Sequence, residues 1–229
     1  MKYALIIAML GVATSAIAQH SSNIRIACVG ASITEGGMTT NPATDSYPAQ
    51  LGTMLGDGYE VMNFGVSSST MLKEGDFPYW TKGRLDEALA SDPDIVFIDL
   101  GGNDAKAVNR DKAGRLAADA AEMANLFRSL PSHPRVIFLT PIVSFETDPN
   151  QIWDITISET IAPAIISAAY DAGVEVIDMH PVLETRPELF ADGIHPDTEG
   201  SRMMAETLKD YLLDHPQTRE RHSVNSHTR

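Results

Sequence analysis

Five short runs of apolar residues recur along this chain of 229 residues, and longer segments with helical periodicity separate them. The third run, IVFIDL, is apolar nearly throughout, as is typical of a strand buried on both faces of a sheet. Strands that alternate with helices pair in parallel, because each helix carries the chain back to the same end of the sheet. The pattern predicts an α/β fold with a five-stranded parallel sheet. The predicted strands are Ile24–Gly30, Tyr59–Gly65, Ile95–Leu100, Val136–Thr140 and Val174–Asp178.

Five helices are predicted around these strands. The segment Asp111–Leu130 has apolar residues at three- and four-residue spacing, and Pro131 ends it. Pro163 lies inside the fourth helix, so a kink is predicted there, and Gly173 stands at the C-terminal end of that helix. The predicted helices are Tyr47–Leu55, Thr81–Ala90, Asp111–Leu130, Ile157–Ala172 and Asp197–Leu213.

Composition narrows the class of protein. Hydrophobic residues make up 43% and charged residues 21% of the chain, which is ordinary for one globular domain of this length. The formal net charge of −14 disfavours a nucleic-acid partner and an anionic membrane surface, because both repel an acidic protein. The single cysteine, Cys28, excludes an intramolecular disulfide. Because it lies in an apolar run, it is predicted to be a buried small hydrophobe, not a reactive thiol.

The N-terminus has the pattern of a secretory signal peptide. Lys2 gives a short positive region, Tyr3–Val12 is apolar but too short to span a bilayer, and Ala16–Ala18 is a small-residue cleavage site. We therefore expect residues 1–18 to be removed and the protein to be exported to the periplasm or beyond. An uncleaved anchor helix is the alternative. The expected organisation is one folded domain over residues 19–213 and a polar, disordered tail over residues 214–229.

Four polar clusters follow predicted strands: 30–36, 63–67, 101–104 and 192–196. The carboxyl ends of parallel strands meet at one edge of the sheet, where α/β proteins bind their ligands. We therefore expect all four clusters to meet at one site. The segment Pro141–Ile155 is long for a strand-to-helix connection, which is typical of a binding loop.

These clusters contain the parts of a serine-based acyl-transfer site. Ser32 is the predicted nucleophile and His195 the base that removes its proton. Asp192 lies three residues before the histidine, so one turn brings its carboxylate beside the other ring nitrogen. The developing oxyanion needs hydrogen-bond donors, and the backbone N–H groups of Ser32 and Gly65 and the amide of Asn103 are the candidates.

The four clusters resemble the four signature blocks of the SGNH (GDSL-type) hydrolase family, in the family's order. The resemblance implies a flavodoxin-like, three-layer α/β/α sandwich, and it assigns catalytic roles to Ser32, Gly65, Asn103 and His195, with Asp192 completing the triad. It implies no metal and no organic cofactor. One position departs from the family: Ala31 stands where the first block usually has aspartate. An α/β-hydrolase is disfavoured because its G-x-S-x-G motif would need glycine at position 34, which is threonine.

The substrate prediction rests on longer stretches. SYPAQL, NFGVSSSTML and ELFADGIHP are similar to exported bacterial members of the family that remove O-acetyl groups from sugars, including sialate and xylan types. The expected substrate is accordingly a glycan or small-molecule ester, above all a carbohydrate O-acetyl ester. Lysophospholipase, arylesterase or thioesterase activity at the same site, acyl transfer, and a non-catalytic glycan-binding domain remain as alternatives. The intact triad argues against the last of these.

Several further residues have competing interpretations. Trp80 and Trp153 fall in loops after the second and fourth strands, where they would either stack on sugar rings or pack within their loops. Asp104 is predicted to orient its loop. A metal site built from Asp178, His180 and His195 is conceivable, but no ligand spacing supports it.

Overall fold

The computed structural model of the chain describes residues 23–216. The predicted signal peptide, residues 1–18, and positions 217–229 of the predicted tail lie outside the described residues. Within residues 23–216, no helix is both long enough and apolar enough to cross a membrane.

The sheet has five strands, all pairs of which are parallel, in the order β2-β1-β3-β4-β5. The chain leaves β1 toward β2 at one edge and then crosses back to β3, so the order switches direction between β1 and β3. All strand bounds agree with the prediction to within one residue, and the last strand is one residue shorter at each end. The strands are β1 Ile24–Gly30, β2 Tyr59–Gly65, β3 Ile95–Asp99, β4 Arg135–Leu139 and β5 Glu175–Ile177.

Helices cover both faces of the sheet, which confirms the three-layer α/β/α fold. Side chains of the central strands alternate between two cores. Ile26 and Cys28 pack with the helices over 47–55 and 198–214, and Ala27 and Val29 pack with the helices over 84–90, 116–128 and 162–172. Cys28 is fully buried as predicted, and burial raises the pKa of its thiol far above the usual value. The helices are α1 Ser32–Glu35, α2 Pro42–Asp45, α3 Tyr47–Leu55, α4 Arg84–Ala90, α5 Leu116–Arg128, α6 Asp154–Thr156, α7 Ala162–Ala172 and α8 Thr198–Asp214.

Several helix boundaries differ from the prediction, each for a local reason. Helix α4 begins three residues late because Gly83, with a left-handed φ of 74°, precedes it. A 3-10 segment, Ala107–Arg115, occupies the first part of the helix predicted from Asp111. The kink predicted at Pro163 is a π-helical turn over Ile157–Ile161, immediately before α7. Proline has no N–H and clashes with the carbonyl four residues earlier, and a wider turn relieves that clash.

Helix α8 begins at Thr198 and ends at Asp214, each one residue later than predicted. The Asp197 carboxylate accepts hydrogen bonds from the Glu199 and Gly200 N–H groups, both at 2.9 Å, and so caps the helix. This cap fixes the chain two residues after His195.

Candidate active site

Ser32, His195 and Asp192 lie in one hydrogen-bonded series. The Ser32 Oγ is 2.7 Å from His195 Nε2, and His195 Nδ1 is 2.6 Å from Asp192 Oδ2. Since a carboxylate only accepts, Nδ1 carries a proton and neutral Nε2 is left to accept from the serine hydroxyl. The structure therefore brings together the three residues that were predicted to be nucleophile, base and acid.

The Asp192 carboxylate is held within its own turn. Its Oδ1 accepts from the Ile194 and His195 N–H groups at 2.9 and 2.8 Å. Burial acts to raise the pKa of Asp192, but the hydrogen bonds from the backbone and ring of His195 outweigh it and lower the pKa below its usual value. The carboxylate thus stays ionised and keeps the imidazole in one orientation.

Helix α1 presents Ser32 directly after β1. Ser32 is the first residue of this short helix, where backbone N–H groups have no acceptor inside the helix. The turn is tight: a Cβ at Gly30 would lie 1.9 Å from Thr34 Oγ1. The serine hydroxyl and an available N–H donor are therefore close to each other at the carboxyl edge of the sheet.

Helix α1 is anchored to β3 through a buried polar contact that the sequence analysis missed. Thr34 Oγ1 donates to Asp99 Oδ2 at 2.9 Å and lies 3.0 Å from the Tyr47 hydroxyl. Burial raises the pKa of Asp99 to about 6, although hydrogen bonds from Thr34 and Tyr47 oppose the shift. A carboxylate at the end of an otherwise apolar strand was the available signal. The Asp99 carboxylate holds the turn that carries Ser32, in a chain where Ala31 has no carboxylate to do so.

Asn103 reaches the same site from the segment after β3. Its side chain lines the pocket beside Ser32, and its Nδ2 donates to the Ser69 carbonyl at 3.1 Å. An amide nitrogen carries two hydrogens, so one remains for a further acceptor. Asn103 is nearly fully buried, which fixes that second hydrogen in direction.

Gly65 does not have the free N–H group that its predicted role requires. The Gly65 N–H donates to Asn63 Oδ1 at 2.9 Å. A Cβ at Gly65 would lie 2.2 Å from the Glu35 nitrogen, so only glycine lets β2 approach helix α1. In this structure, packing between β2 and α1 requires glycine at position 65, and the N–H of Gly65 already has an acceptor. The oxyanion role predicted for Gly65 would require this N–H to leave its acceptor.

The Gly65→Ala variant is expected to be destabilised by about 1–3 kcal/mol, because the added methyl group must push backbone of α1 away. Urea denaturation followed by circular dichroism measures the difference. Gly114→Ala is the matched control, since nothing lies within 4 Å of a Cβ there. A Gly65→Ala protein as stable as the control would contradict the packing role.

The loop after β2 is held at both ends by carboxylates. Glu35 Oε2 accepts from the Ser67 N–H at 2.9 Å, and Asp104 accepts from the Met71 and Leu72 N–H groups at 2.9 and 2.8 Å. Asp104 thus has a structural role, as predicted, but the loop that its side chain holds is the one after β2 and not its own. Burial raises the pKa of Asp104 to about 6, outweighing its backbone hydrogen bonds.

Between these anchors, the turn Ser67–Ser69 faces Asn103. Ser68 has a left-handed φ of 67°, a conformation that costs energy for a residue other than glycine. Strained backbone of this kind is concentrated at functional sites. No sequence pattern indicates this strain, because a run of three serines is typical of any polar loop.

A small pocket, open to solvent, extends from Ser32. Asp99 and Asn103 are among its polar lining residues. Its other wall is apolar and comes mostly from the long connection after β4, which supports the prediction that this connection is a binding loop. The apolar lining includes Pro141, Ile142, Val143, Ile152, Ile157 and Ile194.

The two predicted substrate-binding tryptophans lie outside this pocket lining. Trp80 packs in its loop: its indole N–H donates to the Met71 carbonyl at 2.7 Å, and Lys73 Nζ lies 4.3 Å from its ring centre. Trp153 adjoins the lining residue Ile152, and the Arg110 guanidinium lies 5.7 Å from its ring. The geometry favours loop packing for Trp80 and leaves Trp153 near the pocket.

The three residues of the conceivable metal site are directed to different partners. His195 contacts Ser32 and Asp192, His180 Nε2 lies 3.0 Å from Asp154 Oδ1, and Asp178 accepts from the Thr140 hydroxyl at 2.7 Å. Across residues 23–216, no group of three or more histidine, cysteine or acidic side chains is arranged to hold a metal ion.

A serine, a histidine and an aspartate in hydrogen-bonded series, at the carboxyl edge of a flavodoxin-like parallel sheet, define the class of serine-dependent hydrolases. Residues 28–203 match the family model described as GDSL-like lipase/acylhydrolase. The chain belongs to this family.

The chain is also similar to individual esterases. An acetylxylan esterase from Xylanibacter ruminicola is 38% identical over 203 residues, which cover 81% of this chain but only 42% of that protein. The chain thus spans less than half the length of this relative. Among solved structures, a carbohydrate acetylesterase from Sinorhizobium meliloti superposes with a TM-score of 0.66 at 19% identity, covering 83% of this chain and 98% of that one. An aryl esterase from M. smegmatis gives 0.68 at 20% identity, with the same coverages. These likenesses confirm the fold.

Proposed function

We propose that this protein is a carboxylic ester hydrolase that removes O-acetyl groups from a carbohydrate, with Ser32 as nucleophile. The observation that carries the proposal is the series Ser32–His195–Asp192, with contacts of 2.7 and 2.6 Å. Ser32 Oγ attacks the ester carbonyl carbon while His195 Nε2 takes the hydroxyl proton. Collapse of the tetrahedral intermediate transfers that proton to the leaving alcohol. Water, activated by the same nitrogen, then hydrolyses the acyl-serine.

Donors for the oxyanion come from three places in this scheme. The Ser32 N–H at the start of α1 and the second hydrogen of Asn103 Nδ2 are two of them. In place of Gly65, we assign the third to the N–H of Ser68, the strained residue of the turn Ser67–Ser69. The neighbouring N–H groups of Ser67 and Ser69 already donate to Glu35 and to the Val66 carbonyl. Preorganised donors of this kind stabilise the charge that develops on the carbonyl oxygen.

The substrate part of the proposal is supported by the relatives and by the pocket. Removal of acetyl groups from xylan is what the name of the 38% identical relative states. An apolar pocket beside Ser32 suits a short acyl group, because it would bury a methyl group next to the reacting carbon. Arylesterase activity is the second candidate, since one of the structural neighbours bears that name.

Acetate release from acetylated xylo-oligosaccharides tests the proposal, with p-nitrophenyl acetate, butyrate and octanoate as comparison substrates. The expected result is sustained turnover with water as sole acceptor and a marked preference for acetate. Hydrolysis of the aryl esters without any release from acetylated oligosaccharides would favour the arylesterase alternative. Turnover that stalls until an alcohol is added would indicate an acyltransferase.

We also propose that the protein is exported after removal of residues 1–18, on the strength of the N-terminal sequence pattern. Intact mass spectrometry of protein recovered from the periplasm or medium of an exporting bacterial host checks this. The expected mature N-terminus is Gln19. Recovery of the full-length chain attached to membranes would favour the anchor-helix alternative.

A further inference from the structure

A second histidine–aspartate pair lies beside the active site and takes no part in the proposed chemistry. His180 follows β5, Asp154 is the first residue of α6, and their Nε2 and Oδ1 atoms are 3.0 Å apart. Both side chains are partly buried, with 21% and 32% of their surface exposed. Because a carboxylate only accepts, His180 Nε2 is the donor in this pair.

The same Asp154 oxygen holds the wall of the pocket. Oδ1 accepts from the Ser144 N–H at 2.9 Å, and Ser144 is one of the pocket-lining residues. The Ser144 hydroxyl in turn donates to the Ile152 carbonyl at 2.6 Å, and Ile152 lines the pocket as well. One carboxylate thus fixes two segments of the long connection that forms the apolar wall.

The wall is bonded to the turn that carries the catalytic base. The Phe145 N–H donates to the Gly193 carbonyl at 2.7 Å, and the Ser144 hydroxyl lies 3.4 Å from the same oxygen. Gly193 has a left-handed φ of 77° and sits between Asp192 and His195. A shift of residues 144–145 would therefore move both the pocket wall and the histidine.

His180 is itself fixed to the end of the sheet. Its N–H donates to Asp178 Oδ1 at 3.2 Å, and that oxygen also accepts from the Thr140 hydroxyl at 2.7 Å. Thr140 Oγ1 accepts from the Met179 N–H at 2.8 Å. These contacts tie the ends of β4 and β5 together, so the imidazole approaches Asp154 from a rigid base.

We propose that Asp154, oriented by His180, is a positioning residue that fixes the acyl-pocket wall and, through Gly193, the catalytic turn, and thereby sets the selectivity for short acyl groups. The proposal rests on the esterase function proposed above. It adds a role for two side chains that touch neither substrate nor the reacting atoms. Small displacements of reacting groups are costly: about 1 Å is enough to lower a rate by roughly 100-fold.

The test compares Asp154→Ala, Asp154→Asn and His180→Leu with wild type on p-nitrophenyl acetate and butyrate. Asp154→Ala removes the acceptor for Ser144, so kcat/KM for acetate should fall by roughly 10- to 100-fold. Because the wall loosens, the acetate-to-butyrate ratio should fall by at least about 3-fold. Asp154→Asn keeps an oxygen acceptor and should restore most of both values. His180→Leu should shift the ratio in the same direction by less.

Asp148→Ala is the matched control, because this carboxylate on the same connection accepts only from nearby backbone and from Asn150. A purely structural role would lower the melting temperature of the Asp154 and His180 variants and leave the acetate-to-butyrate ratio of the folded protein unchanged, and that result would overturn the proposal. If Asp154→Ala does not fold, an unchanged ratio in His180→Leu overturns it equally. Wild-type protein inactive on every ester would overturn the esterase function itself, and this inference with it.

Discussion

The Ser32→Ala variant is expected to lose turnover of p-nitrophenyl acetate by about 10⁵-fold or more in kcat, leaving only the rate that the oxyanion donors and binding can provide. The hydroxyl is the one group positioned 2.7 Å from the base, and alanine offers no substitute nucleophile. The measurement is initial-rate kinetics on protein without residues 1–18, with circular dichroism to show that the variant folds.

Residues that act as one unit give losses that do not add. His195→Ala should therefore cost about as much as Ser32→Ala, and the double variant no more than either. Asp192→Asn should lower kcat by about 10⁴-fold, because the amide would favour the wrong histidine tautomer. Unchanged turnover in Ser32→Ala would contradict the proposed mechanism, whatever rates the other variants show.

The second large effect is expected on stability. Asp104→Ala should lower the free energy of unfolding by about 2–6 kcal/mol, since it leaves the N–H groups of Met71 and Leu72 buried without their acceptor. Activity should fall as well, because the loop held by Asp104 includes the Ser67–Ser69 turn. Urea denaturation at pH 7 gives the stability difference. A change below about 1 kcal/mol would show that the loop finds other acceptors.

The Asp104→Ala cost should depend on pH. Burial raises the pKa of Asp104 in the folded protein to about 6, above its unfolded value, so the folded state binds this proton more tightly. Its contribution to stability is then largest below the unfolded pKa and declines as pH rises through about 6. The difference between wild type and Asp104→Ala should accordingly be larger at pH 4 than at pH 7, by about 2 kcal/mol. Carboxylates with lowered pKa, such as Asp192, cancel in the difference.

Much of the fold could be predicted because its signals are local. Buried strands such as IVFIDL, and turns that follow them, identify a parallel sheet without knowledge of any contact, and the parallel arrangement then brings Ser32, Asn103 and His195 to one edge. The three-residue spacing between Asp192 and His195 likewise predicts their contact. Helix starts were less predictable, because the 3-10 segment Ala107–Arg115 has no distinct periodicity.

Contacts between segments distant in the chain could not be predicted from the sequence. The role of Gly65 depends on how closely β2 approaches α1. An added Cβ at this position would lie only 2.2 Å from the Glu35 nitrogen, and this distance shows that packing requires glycine there. The Asp99–Thr34 contact joins residues 65 positions apart, and the His180–Asp154 pair joins residues 26 apart. For Trp80, the sequence favoured loop packing over stacking on a sugar without identifying a partner, and the structure places its N–H on the Met71 carbonyl.

The acid and the base of this site share a single turn, just ahead of the capped start of α8. Their mutual geometry is thus a local property of four residues and is insensitive to strain elsewhere. The distance from His195 to Ser32, in contrast, spans 163 positions and depends on how α8 is seated against the sheet. The catalytic rate should therefore respond strongly to small shifts of α8. On heating, we expect activity to be lost at a lower temperature than the circular dichroism signal of the sheet.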